Sequence, residues 1–270
     1  MDKETENRFS VEEENGEIVL LDKTLSRKTV LLRSDSFKKG IFHDTTTCTV
    51  CGVVLEDSIN IFACYGDTWA ELAAIGEASL DCFFVSLDDT LCLLVVCCSG
   101  IIALYEPHDP ATHRSWTQTH CMASPSPENQ IVSFASTNTN FFLVASYADD
   151  ASPNSAPASG VSVYLFHHST GFVLAAKSIP IGTVREIATG KMPLGHAFRV
   201  SVLTKDGVHI YQIEHTEDEV IEIHAKELFS LSGPAKHTEW NCFGNTLAVF
   251  GPSSSFKITE HCDGGWSVRE

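Results

Sequence analysis

Two pairs of thiol or imidazole side chains are the first candidates for metal binding in this sequence. Cys48 and Cys51 form a Cys-x-x-Cys pair, and His167 and His168 are adjacent. A structural zinc site takes four such ligands, so the cysteine pair would need a second pair or two histidines nearby. The residues after Cys51 continue directly into a predicted strand, and the two histidines lie on another. Positions one or three apart on a strand face opposite sides of its sheet. We therefore predict no metal at either pair.

Three further histidines, His108, His113 and His120, surround a predicted polar loop, where they could meet a metal. Solvated loop side chains are the favoured interpretation. The sequence has neither the Gly-x-Ser-x-Gly turn of serine hydrolases nor a Walker-type phosphate loop. These observations predict a non-enzymatic protein that uses no cofactor and no metal.

The charge balance narrows the partners. The 270 residues include 35 Asp and Glu against 18 Lys and Arg, a formal net charge of −17. Nucleic acids and anionic lipid surfaces are bound mainly through clustered Lys and Arg, so we predict no contact with either. The acidic runs Glu12–Glu14 and Glu217–Glu219 are interpreted as solvated loops or tails, and the alternative is that they steer a basic partner segment.

The ten cysteines are interpreted as free thiols that fill the core. Several lie inside apolar runs, among them Cys92 and Cys97, and the first eight residues are polar and acidic, unlike a secretory signal. A reducing compartment, the cytosol or the nucleus, is predicted. The most apolar stretch, Leu91–Tyr105, has about 15 residues, fewer than the roughly 20 that a helix needs to cross a bilayer. Ser99 and Gly100 at its middle predict a hairpin instead.

Similar hairpins recur along the chain, each an apolar run, a turn and an alternating run. Their second strands begin near residues 59, 101, 161, 208 and 256, a spacing of about 45 residues once an insertion at 149–160 is set aside. Repeats of this length with four strands each are typical of β-propeller blades. A further strand is predicted before three of the five hairpins, namely Leu80–Ser86, Ile131–Ala135 and Thr238–Cys242. A further strand is also predicted after each of the five hairpins, namely Trp69–Ala74, Trp116–His120, Gly171–Ala176, Ile221–Phe229 and Trp266–Val268.

An abbreviated first blade is predicted from Glu17–Asp22 and Thr29–Arg33. Counting it, the sequence predicts an all-β fold, a six-bladed WD40-like propeller over residues 10–270. Residues 1–9 are predicted to be a flexible acidic N-terminus, and 149–160 a flexible loop insertion.

Several segments, in order over roughly residues 80–270, resemble the SEC/SEH family of WD-repeat propellers, and within it the SEH-type nucleoporins of the nuclear-pore outer ring. The sequence has no Trp-Asp dipeptide, and the acidic turn expected after Gly251 is replaced by Pro252–Ser255, so the resemblance is to a divergent member. The segments that carry it are Leu104–Asp109 with Trp116–His120, Asp149–Asn154, Thr204–Asp206, Glu222–His224, and Trp240–Ala248 with Gly265–Trp266.

The resemblance implies an open propeller into which a partner chain inserts strands that act as a seventh blade. The exposed edges are then expected on the N-terminal strand and in the final blade. The alternative is a chain that closes itself by pairing its N-terminal strand with the last blade. The expected partner-binding residues are Ile18, Val19, Leu20, Leu21, Phe256, Lys257, Ile258 and Thr259.

The function implied by the resemblance is that of a scaffold subunit of the nuclear-pore outer-ring coat. Its partner would be a larger helical-solenoid nucleoporin within a multi-subunit coat complex, with roles in pore assembly and nucleocytoplasmic transport of protein and mRNA. The expected location is the nuclear envelope, membrane association runs through other subunits, and no small-molecule substrate is expected. The alternatives are a COPII-type vesicle coat, a lysosomal or vacuolar amino-acid-signalling coat, and a closed propeller that binds peptides.

Overall fold

The protein is described from a computed structural model, in which all named regular elements are β-strands and all strand pairs are antiparallel. The all-β prediction is therefore confirmed for the residues that the structure describes. Within them, no helix has the length and apolar character that crossing a bilayer requires. The described residues are 8–87, 90–110, 112–125, 131–136, 141–148, 159–167, 169–191, 197–215, 223–241, 243–261 and 264–270.

The chain divides into two compact units, residues 1–123 and residues 124–270. The first unit contains one three-stranded sheet and two four-stranded sheets, each built from strands consecutive in the chain. Its strands are β1 (Phe9–Glu14), β2 (Glu17–Asp22) and β3 (Arg27–Arg33); β4 (Phe37–Asp44), β5 (Thr49–Leu55), β6 (Ile59–Tyr65) and β7 (Thr68–Ile75); β8 (Ser79–Leu87), β9 (Thr90–Cys97), β10 (Ile101–Asp109) and β11 (Arg114–Ala123).

The apolar run that a membrane helix would have required forms the β9–β10 hairpin, as predicted. Every residue of β9 from Leu91 to Cys97 is buried, so both faces of this strand are covered and the run is continuously apolar. The Gly100 amide donates to the carbonyl of Cys97 (3.1 Å) and Gly100 has a φ of 82°, a conformation that glycine adopts without strain.

Within the first unit, the four-stranded sheets pack face to face in the same orientation. Their first strands β4 and β8 contact each other, and so do their last strands β7 and β11. A buried cluster fills the space between the two sheets and includes Ile61, Leu93 and Tyr105. A second cluster, with Phe9, Leu20 and Val53, joins the three-stranded sheet to β4–β7.

The second unit contains three four-stranded sheets, again in chain order. Their first strands β12, β16 and β20 contact one another in sequence. The strands are β12 (Val132–Ser136), β13 (Phe141–Ala148), β14 (Ser159–His167) and β15 (Gly171–Pro180); β16 (Val184–Lys191), β17 (Ala197–Thr204), β18 (Gly207–His215) and β19 (Ile223–Ser232); β20 (His237–Trp240), β21 (Thr246–Phe250), β22 (Ser255–Glu260) and β23 (Trp266–Arg269).

A buried cation links the last two sheets of the second unit. Arg199 on β17 is 2% exposed; its Nη1 donates to the Gly244 carbonyl (2.7 Å) and its Nη2 to the Glu260 carboxylate (2.6 Å). Its guanidinium also lies over the ring of Trp266, 5.1 Å from the centroid. A charge this deeply buried is tolerated because it is paired and hydrogen-bonded.

The flexible segments predicted at residues 1–9 and 149–160 lie mostly outside the described residues, which include only 8–9 and 159–160 of them. Ser159 and Gly160 are the first two residues of β14. Phe9, which was predicted to belong to the flexible N-terminus, is instead the first residue of β1. It is only 4% exposed, because its ring packs against Phe42 and Trp69 at centroid distances of 6.0 and 5.6 Å.

Candidate strand-acceptor site

The first predicted partner-binding segment, Ile18–Leu21, does not lie at a sheet edge. It forms the centre of β2, which pairs with β1 on one side and β3 on the other. Ile18 and Leu20 are 0% and 1% exposed. The expectation of a free edge here is wrong, because the most apolar strand of the sheet occupies its middle.

The second predicted segment, Phe256–Thr259, is not an edge either. It lies in β22, which pairs with β21 and β23, and Ile258 is fully buried. Among the described residues of that sheet, the edge strands are β20 and β23. Both predicted segments are therefore inner strands, and the backbone groups that a partner would need are already bonded.

The three-stranded sheet has two edge strands, β1 and β3. Comparing its strand directions with those of the four-stranded sheet β4–β7 shows which strand of a four-stranded sheet it lacks. At one end of the first unit, the β2–β3 turn and the β6–β7 turn line the same small cavity, so these two turns lie close together. The residues that line the cavity include Arg8, Asp22, Leu25, Gly66 and Asp67. At the opposite end, the Ser34 amide donates to the Gly16 carbonyl (3.0 Å) and the Glu56 amide to the Ser36 carbonyl (3.1 Å). The β1–β2 turn therefore lies at the same end of the first unit as the β5–β6 turn.

It follows that β2 is parallel to β4 and β6, and that β1 runs opposite to β4. The strands β1, β2 and β3 thus have the directions of the second, third and fourth strands of the neighbouring sheet. The contact between β3 and β7 agrees, because last strands also meet between the next two sheets. The position that no described strand fills is that of a first strand, next to β1.

The turn between β1 and β2 determines which backbone groups of β1 face this vacant position. Asn15 and Gly16 have φ values of 54° and 76°, the two positive angles of a type I′ turn. The Lys23 amide donates to the Arg8 carbonyl (2.8 Å), so residues 8, 10, 12 and 14 are the ones bonded to β2. Bonding alternates along an antiparallel strand, so the N–H and C=O groups of Phe9, Val11 and Glu13 point away from β2. These three residues are called the acceptor edge below.

The acceptor edge is held firmly at its N-terminal end. Arg8 donates to the carboxylate of Asp22 (3.0 Å), and the same carboxylate accepts bonds from the amides of Thr24 (2.9 Å) and Leu25 (3.2 Å). Burial acts to raise the pKa of Asp22, but the hydrogen bonds from Thr24 and Arg8 outweigh it and hold that pKa at about 2. Asp22 therefore stays ionised and keeps the β2–β3 turn bound to the start of β1.

The cysteine and histidine candidates lie on several different strands and turns of the described structure. Cys48 and Cys51 are buried free thiols, and burial raises the pKa of Cys51. His113 is 7% exposed and its Nδ1 has no partner in the described structure, while burial lowers its pKa. Nowhere in the described ranges do three His, Cys, Asp or Glu side chains group in a way that could hold a metal ion. His168 lies outside the described residues.

Comparison of the sequence with protein-family models and with curated proteins finds no match. The structure is similar to the WD40 domain of SCAP from fission yeast (TM-score 0.57, 10% identity, 98% of this chain and 73% of that chain). It is also similar to the Dos1 propeller (TM-score 0.55, 12% identity, 92% and 63%) and to a puromycin hydrolase (TM-score 0.52, 10% identity, 87% and 39%). At these identities the likeness defines the fold, that of a WD40-type β-propeller, and the prediction of a propeller fold is confirmed at that level.

Proposed function

We propose that this protein is a non-enzymatic WD40-type scaffold that receives a strand from a partner protein on the acceptor edge. The observation that carries the proposal is the vacant first-strand position beside β1. Unpaired backbone groups in a row are a ready template for another extended segment. No described residue of the chain pairs with the N–H and C=O groups of the acceptor edge.

The partner in this proposal is a larger helical-solenoid nucleoporin, and the setting is the outer-ring coat of the nuclear pore at the nuclear envelope. Support comes from the sequence segments between residues 80 and 270 that resemble SEH-type nucleoporins. The strand that the partner inserts is placed next to β1, and not next to Ile18–Leu21 or Phe256–Thr259 as the sequence suggested. Vesicle coats, and the signalling coats of lysosomes or vacuoles, use propellers of the same family. The identity of the partner distinguishes these two settings from the nuclear pore.

The test is affinity purification of the tagged protein followed by identification of the chains that co-purify. A helical-solenoid coat nucleoporin is expected with the unaltered chain. The variant Glu13→Pro should lose it, because proline removes the outward N–H at position 13 while leaving the bonds between β1 and β2. Glu13→Ala keeps that N–H, is matched for loss of the carboxylate, and should retain the partner. Recovery of no solenoid coat protein at all overturns the proposal.

A further inference from the structure

The two faces of β1 differ in chemistry, and an incoming strand would meet both. Phe9 and Val11 point to one face, where Phe9 is buried beside Phe42 and a Cβ built on Gly40 would lie 2.8 Å from the Val11 side chain. Ser10, Glu12 and Glu14 point to the other face, since successive side chains on a strand alternate. Glu13 shares the face of Phe9 and Val11, at the end next to the turn. A strand bonded to the acceptor edge therefore meets apolar side chains over Phe9 and Val11 on one face and acidic side chains on the other.

The acidic side chains of this sheet are unequally neutralised. Glu14 is paired with Lys28 (2.6 Å) and Glu17 with Arg33 (2.9 Å), so β3 supplies cations to the two carboxylates that flank the turn. Glu12 and Glu13 are exposed and make no ion pair with any described residue of the chain. Their negative charge is left at the acceptor edge.

We propose that the strand bound at the acceptor edge alternates apolar residues with Lys or Arg, an inference that rests on the proposed function and specifies the chemistry of the partner. Apolar side chains of such a strand continue the face of Phe9 and Val11, and its cations lie on the other face, across from Glu12. Glu13 lies at the turn end of the apolar face and adds to the negative charge of this edge. Opposite charges across a strand pair stabilise it and like charges destabilise it.

The same charges argue against a second copy of this chain as the occupant. Two acceptor edges placed side by side would bring four unpaired carboxylates, Glu12 and Glu13 of each chain, into one short strand pair. Charged side chains on an edge strand are a common means of preventing such self-pairing. The acidic edge thus rejects its own copy and admits a cationic strand.

The experiment measures binding of two labelled peptides, one alternating Val with Lys and one alternating Val with Glu, by fluorescence anisotropy. The Lys peptide is expected to bind about tenfold more tightly at low salt, and the preference should shrink as salt rises. The double variant Glu12→Lys/Glu13→Lys should reverse the preference. Glu56→Lys/Asp57→Lys, a matched charge reversal in the exposed β5–β6 turn, should leave it unchanged.

The outcomes separate this inference from the proposed function. If Glu13→Pro abolishes capture of the natural partner but the two peptides bind the unaltered chain equally, strand acceptance stands and the charge inference fails. If the partner is captured equally by the unaltered chain and by Glu13→Pro, the acceptor edge is not the binding site and both fail. A Lys preference that survives Glu12→Lys/Glu13→Lys also overturns the inference, because the carboxylates then do not cause it.

Discussion

Gly40 on β4 lies directly under Val11 on β1: a Cβ built on Gly40 would be 2.8 Å from both the Cβ and a methyl group of Val11. This contact allows the edge strand of the three-stranded sheet to approach the neighbouring sheet closely. The position of the acceptor edge therefore depends on a residue that has no side chain.

Replacing Gly40 with alanine should displace β1 and lower the free energy of unfolding by about 1–3 kcal/mol, because an extra methyl group in a packed contact forces the neighbours apart. Chemical denaturation measures the free energy, and hydrogen exchange of the β1 amides locates the change. Gly76→Ala is the matched control, since a Cβ built there meets nothing within 4 Å. Equal stability of the two variants would contradict the packing described at Gly40.

Asp22 should make the stability of the protein depend on pH in the acid range. Its pKa is about 2 in the folded protein and 3.8 ordinarily, so its contribution is fully present above about pH 4 and is lost as pH falls towards 2. Asp22→Asn should cost about 1–3 kcal/mol at pH 7, because the bonds from Arg8 and the turn amides lose their charged acceptor.

Urea unfolding of the two proteins between pH 2 and 7 checks this dependence. The difference in unfolding free energy between the unaltered chain and Asp22→Asn should narrow steadily below pH 4. Asp57→Asn, at an exposed turn position, is the control and should show little difference at any pH. A constant difference between the unaltered chain and Asp22→Asn down to pH 2 would show that the carboxylate charge is not the cause.

Arg199 should be among the most sensitive positions of the second unit. Arg199→Met removes the cation and leaves Glu260 and the Gly244 carbonyl without their donor, at an expected cost of about 3–5 kcal/mol. Arg199→Lys keeps the charge, but an ammonium group cannot donate in two directions as the planar guanidinium does. Its loss of unfolding free energy should therefore be intermediate between those of the unaltered chain and Arg199→Met. Thermal and urea unfolding measure both. Arg269→Met, at an exposed position on β23, is the matched control and should be nearly neutral.

The thiols should differ sharply in reactivity. Cys98 and Cys121 are exposed, whereas Cys51, Cys82 and Cys97 are buried, and burial raises the pKa of Cys82 to about 12 and that of Cys97 to about 11. Because the thiolate is the reactive form, brief maleimide labelling of the folded protein should modify the exposed pair first. Mass spectrometry of peptides reads the order. Labelling of Cys51 at the rate of Cys98 would mean that the β5 core is not closed.

The sequence predicted the hairpins better than it predicted their neighbours. Alternating β-branched runs around Ser99–Gly100 and Asp206–Gly207 have a strong local signal, and both form hairpins in the structure. The strands β4 and β16 were not predicted, because glycine and charged residues interrupt their apolar pattern, as in Lys38, Lys39 and Gly40. Their strand conformation depends on pairing with β5 and β17.

The candidate site was misplaced for a related reason. The resemblance implied open edges in the N-terminal strand and in the final blade, and apolar alternation located those strands at Ile18–Leu21 and Phe256–Thr259, which are inner strands. Edge strands are partly polar, so Glu12–Glu14 was interpreted as a solvated run although Phe9 and Val11 are spaced as on a strand. Only strand order and direction, which depend on contacts distant in sequence, identify β1 as the edge that lacks a neighbouring first strand among the described residues.

The type I′ turn at Asn15–Gly16 has a consequence for the kinetics of association. A two-residue hairpin is closed by contacts local in sequence, so β1 is already extended before any partner arrives. The loss of conformational entropy on pairing then falls almost entirely on the incoming strand. Mutations that stiffen that strand should increase the association rate, whereas mutations that rigidify β1 should not.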